Sequence, residues 1–206
     1  MTSMKRIAGA AALGATLLFG YGPFSSPAQA GYVVTLKEVG SDVVATGSGV
    51  IDLNGLTGPV PSSTSAAINP AAGSIFTGPT SDSPVDIYFE VAGPASFGSG
   101  GLTPADNGSG NTVGIIGSSF SVLLVPGGYA SGAPLSDTST YTGQTFSSLG
   151  VTLGTYEWTW GSGSDQNFTL IIGAAAVPEP ASVALLGTGL AGLLLASAIW
   201  RIRYSV

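Results

Sequence analysis

The chain has 206 residues, no cysteine and no histidine, and only 8% of its residues are charged. With neither side chain there is no thiolate nucleophile, no disulfide framework, and no imidazole to serve as a general base near neutral pH or as a metal ligand; most hydrolase and transition-metal mechanisms are disfavoured. Between residues 31 and 180 one cation stands against eleven acids, a net charge of −10, so phosphate backbones are repelled and nucleic acid is not expected as a partner.

At the amino terminus, Met1 to Arg6 is a short positive start, Ile7 to Gly22 is an apolar run, and Ala28-Gln29-Ala30 is a small-x-small site following Pro23 and Pro27. This is the three-part pattern of a secretory signal helix. Ala28, Ala30 and Gly31 are the residues a signal peptidase would read, and cleavage after Ala30 leaves a mature chain that begins at Gly31.

The middle, residues 31 to 176, is dominated by Gly, Ser, Thr and Val, with turn dipeptides at short intervals. Val85 to Val91 and Tyr156 to Trp160 alternate with period two, and Phe168 to Ile172 does so more loosely. Tyr32 to Glu38, Val43 to Leu53, Phe120 to Val125 and Gln144 to Ser148 are further strand candidates, separated by turns that contain Gly, Pro or Asn. About seven short strands without a helical period predict a mainly β fold, an antiparallel β-sandwich or a barrel-like single domain. Residues 54–84 and 93–111, rich in Pro, Gly, Ser and Ala without a period, read as long loops.

The chemistry offered by this middle is sparse. No G-x-S-x-G elbow is present, and a triad needs the missing histidine. Asp86 and Glu90 fall on one strand face with Tyr88, and Glu157 sits between aromatics; paired carboxylates can hydrolyse glycosides, but alternation makes these the solvated face of strands whose other face is apolar. Asp106 to Asn111 and Asp165-Gln166-Asn167 are oxygen-rich without EF-hand spacing, so they read as turns rather than calcium loops. Tyr156, Trp158 and Trp160 line one side of a strand, where they could stack on sugar rings or fill the core of a sandwich. No cofactor is expected.

At the carboxyl terminus, Val177-Pro178-Glu179-Pro180 is a stiff, extended stretch, because each proline fixes its own φ and biases the residue before it. Ala181 to Trp200 follows without a charge; at about 1.5 Å per residue it spans roughly 30 Å, the thickness of a hydrocarbon core. This transmembrane helix is followed by Arg201 and Arg203, which the positive-inside tendency keeps on the cytoplasmic side, with the middle of the chain outside. Ala184, Thr188, Gly192 and Ala196 lie four apart on one face of it, a frequent composition in such helices.

Val177 to Arg203 resembles the PEP-CTERM sorting signal of Gram-negative bacteria: a Pro-Glu-Pro motif, a Gly- and Leu-rich membrane helix and a basic end, here with Ile202 between the arginines and Tyr204-Ser205-Val206 after them. Leu36 to Gly49 and Leu153 to Gly161 resemble segments of a recurrent type of protein with this signal, one with no assigned activity. The resemblance implies recognition by an exosortase, a membrane-embedded cysteine protease or transpeptidase, with removal of the helix. The expected protein is therefore non-enzymatic, exported through the inner membrane as an anchored precursor and delivered to the cell surface or extracellular matrix, in association with exopolysaccharide or the envelope. Its expected partners are signal peptidase, an exosortase, the membrane through a transient helix, and exopolysaccharide. The alternative is a secreted carbohydrate-binding or carbohydrate-active module using Tyr156, Trp158 and Trp160.

Overall fold

The computed structural model describes residues 31–118 and 120–173. Tyr32–Val39 (β1) and Asp42–Gly49 (β2) form a hairpin closed by Gly40-Ser41; Gly40 takes φ +65° there, a conformation that costs glycine nothing because it has no Cβ. The chain then runs through Thr57–Thr64 (β3), Ala67–Asn69 (β4), Ser74–Thr77 (β5), Ser83–Phe89 (β6), Thr103–Pro104 (β7), Asn107–Gly110 (β8) and Val113–Ile116 (β9). Val122–Pro126 (β10), Leu135–Tyr141 (β11), a one-turn helix Phe146–Leu149 (α1), Gly154–Thr159 (β12) and Asn167–Ile172 (β13) complete it.

These strands make two sheets, one of six strands in the order β12-β13-β1-β2-β11-β8 and one of seven in the order β3-β6-β10-β9-β5-β4-β7. Tyr32, Val34, Leu36, Val43, Ala45 and Leu170 from the first sheet share a single buried cluster with Ile68, Ile75, Val113, Ile115, Leu123 and Val125 from the second. Two sheets enclosing one apolar layer are a β-sandwich. Every named strand pair is antiparallel except one: β1 runs parallel to β13, from Tyr32 opposite Phe168 to Leu36 opposite Ile172. The first and last strands of the described region thus lie side by side, and the purely antiparallel expectation is corrected at that pair.

Several strands form where loops were expected. Residues 54–84 and 93–111 contain β3, β4, β5, the start of β6, β7 and β8. β3 carries Pro59 and Pro61 on an exposed edge beside β6, which is where a sheet tolerates missing N–H groups. Gln144 to Ser148 is not a strand but the approach to α1: the Thr145 side chain accepts from the Ser148 N–H, Ser148 reciprocates at the Thr145 N–H, and Gly150 closes the turn at φ +65°. That capping box satisfies the donors that the first turn leaves without partners. β2 ends at Gly49 rather than Leu53, and Phe120 lies ahead of β10 and is 84% exposed.

Among the described residues no helix is long and apolar enough to cross a membrane. The expected signal helix and the expected transmembrane helix, Ala181 to Trp200, both lie outside the described residues.

Candidate functional site

The aromatic stripe faces inward. Trp158 is fully buried and Trp160 is 7% exposed, while Tyr156 is half-buried against the same core. Trp158 meets Phe168 edge-on at 5.8 Å and Phe97 at 6.4 Å, a geometry that places ring edges on the negative faces of their neighbours. Its Nε1–H donates to the Pro94 carbonyl at 3.0 Å, and the Trp160 Nε1–H donates to the Asp52 carbonyl at 2.7 Å. Both indoles thus have their apolar faces in the core and their one donor satisfied by backbone. Tyr156 and Trp158 lie on β12 and Trp160 follows its end; Phe97, which packs against both Tyr156 and Trp158, sits in a segment read as loop and carried no periodic signal.

The carboxylates are dispersed. Tyr88 packs against the core between the sheets, whereas Val85 and Ile87 belong to a second cluster on the opposite face of β6. β6 ends at Phe89, and Glu90 takes φ +73°, so the alternation that put Glu90 on a face with Asp86 stops before reaching it. Asp86 Oδ2 accepts from the Gly128 N–H at 2.8 Å, and Glu157 is exposed on edge strand β12. Asp106 Oδ2 accepts from the Thr142 N–H at 2.7 Å. Among the described residues no group of three acidic side chains could hold a metal ion.

Two acids have organising roles that the sequence did not signal. Asp52 joins three loops: its Oδ1 accepts from the Asn54 N–H, Asn54 Nδ2 and Ser131 Oγ, and its Oδ2 accepts from Gln166 Nε2. The Asp165 carbonyl in turn accepts the Asp52 N–H, so the Asp165-Gln166-Asn167 turn is tied to Asp52.

Asp137 lies on the inward face of β11, 4% exposed. Tyr32 Oη donates to its Oδ2, while its Oδ1 is buried with no hydrogen-bond partner. Burial pushes the Asp137 carboxyl up to about 6, against a downward pull from the hydroxyls of Tyr32 and Thr77 and the Gly47 backbone. The Tyr32 phenol is pushed far up, first by its own burial and then by the charge of Asp137. Gly47 opposite has to lack a side chain, since a Cβ there would run into Tyr32 Oη and Asp137 Oδ1.

The chain ends of the described region are built tightly into the sheet. Gly31 is buried, with φ +74°, and a Cβ on it would collide with the side chain and carbonyl of Asn167. At the other end β13 is held on both sides, Ile172 pairing with Gly154 of β12 and with Leu36 of β1. The Gly173 N–H still donates to the Leu36 carbonyl at 3.0 Å. Because β1 and β13 are parallel, Gly31 and Gly173 lie at opposite ends of the pair.

The remaining residues singled out from the sequence, Ala28 and Ala30 before Gly31 and Val177, Pro178, Glu179, Pro180, Arg201 and Arg203 after Gly173, lie outside the described residues. Residues 176–203 match the family model described as the PEP-CTERM protein-sorting motif. Only Ala174 and Ala175 separate that match from Gly173. No curated protein and no solved structure matches the chain.

Proposed function

We propose, from the PEP-CTERM sorting motif that this chain carries, that the protein is exported, presented to an exosortase at the membrane by its tail, and left at the cell surface or in the extracellular matrix as a folded sandwich without enzymatic activity. The motif match over residues 176–203 carries this reading. Its position supports it: the last described strand is hydrogen-bonded through Gly173, so all the described strands lie before the motif. Removal of the tail takes away no described strand.

A non-enzymatic role is favoured by the inventory of side chains, which lacks histidine and cysteine throughout, and by the dispersal of the acids. Paired carboxylate chemistry requires two groups a few ångströms apart across a shared space; Asp52, Asp86, Asp106 and Asp137 are instead engaged with backbone amides, loop side chains or a tyrosine, and Glu90 and Glu157 are exposed on separate elements. Association with exopolysaccharide or the envelope is part of this proposal, and the surface sorting implied by the motif supports it.

The reading is tested by immunoblot of fractionated cells with and without their exosortase. A smaller form at the surface or in the medium is expected when the exosortase is present, and a larger membrane-bound form when it is deleted. Identical size and location in both strains would overturn the proposal.

A further inference from the structure

The outer face of the six-stranded sheet carries hydroxyls in register. One row runs Thr155, Ile171, Thr35, Thr46, Thr138, Ser109 across β12, β13, β1, β2, β11 and β8. With strands about 4.8 Å apart, six of them extend this row over roughly 24 Å. The neighbouring row runs Glu157, Thr169, Val33, Ser48, Ser136. The inward partners of these positions, Tyr32, Val34, Ala45 and Leu170 among them, are buried, so the period-two alternation directs both rows to the outside.

We propose that this face binds a neutral polysaccharide, an inference that rests on the surface and matrix reading above and names the surface responsible for it. Hydroxyls both donate and accept, which suits a partner whose groups are also hydroxyls. Half-buried Val33, Val44 and Ile171 lie among them and offer apolar ground for the C–H faces of sugar rings. Charge selects the kind of polymer: the charged side chains of this face are Lys37, Asp42 at the start of β2 and Glu157 on the edge strand β12, while the region as a whole is acidic. A polyuronate would be repelled and a neutral chain would not. Each contact is weak, and successive sugars on one chain add theirs at high effective concentration. The face does not depend on the inward-turned Trp158 and Trp160.

The test is affinity electrophoresis of the full-length chain in a non-saccharide detergent, through gels cast with dextran, hydroxyethyl cellulose or alginate. The expected result is retardation by at least one of the two neutral polymers and none by alginate. Thr46→Glu combined with Ser136→Glu, at two exposed positions of the face, is expected to abolish the retardation with the melting curve unchanged. Ser63→Glu, on exposed edge strand β3 of the other sheet, is expected to retain it. Free migration of the parent protein in both neutral gels, stronger retardation by alginate, or a double variant retarded like its parent would overturn the proposal. Processed protein that migrates freely removes this inference alone; protein that is retarded but never processed removes the sorting proposal alone.

Discussion

The two sheets put their polar groups in opposite places. The six-stranded sheet shows threonine and serine to the outside and encloses the Asp137 carboxyl on its inner side. In the seven-stranded sheet the strands β5, β6, β9 and β10 are apolar on both faces: Leu123 and Val125 of β10 point into the sandwich, and Val122 and Leu124 join Val85, Phe76, Ile87 and Ile116 in a second cluster outside it. The difference shows that the period-two rule identifies a strand without saying which face meets water. On β6 the face bearing Val85 and Ile87 is the outer one, and the face bearing Tyr88 is the inner.

The contrast is sharpest for a charge placed on each outer face. Leu124 is 4% exposed, so Leu124→Asp strands a charge in an apolar cluster and is expected to cost about 3–5 kcal/mol of unfolding free energy. Urea denaturation measures it, and a cost below about 1 kcal/mol would show that the outer cluster contributes no core.

The buried acid of the six-stranded sheet sets a pH dependence. Burial raises its carboxyl in the folded chain to about 6, above the ordinary 3.8, so the folded state holds the proton more tightly. The stability it confers is complete below the unfolded value and is lost as pH rises through about 6. At 1.36 kcal/mol per pH unit the decline is about 3 kcal/mol. Denaturation midpoints taken from pH 4 to pH 7 should fall accordingly, and Asp137→Asn should flatten the slope. A slope that persists in the variant would assign it to other groups.

A smaller effect is expected at Gly114 on β9, where Phe76 of β5 lies across the backbone. An added Cβ would overlap the Phe76 ring and stand 2.9 Å from the Ile75 carbonyl, so Gly114→Ala is expected to cost about 1–3 kcal/mol through overpacking. Thr46→Asp on the hydroxyl face should change stability by no more than about 0.5 kcal/mol, as at most exposed positions; thermal melts of this variant beside Leu124→Asp compare the two outer faces directly.

What was legible in the sequence follows from how each element is stabilised. β1, β2, β6, β12 and β13 contain β-branched or aromatic residues at alternate positions, and β10 is a short continuous apolar run, so the pattern and the fold agree. β3 and β11, with the sequences TGPVPSST and LSDTSTY, have composition that reads as loop or turn. They are strands because β6 pairs with one, and β2 and β8 flank the other, and pairing across long sequence separations overrides weak local preference. Thr145 and Ser148 have the spacing of a capping box, but a serine stands where that signature has Glu or Gln, so α1 is weakly marked in the sequence. The sorting motif was legible because its meaning is local, a proline pair, an apolar run and two arginines. Asp137 was not, since nothing in its neighbourhood along the chain announces that Tyr32, 105 residues away, will be its partner.

The most direct measurement is the intact mass of the mature protein recovered from outside exosortase-competent cells. The expected mass is that of a chain that begins at Gly31, retains residues through Gly173 and lacks Ala181 to Val206. A mature mass that still includes Ala181 to Val206 would contradict it.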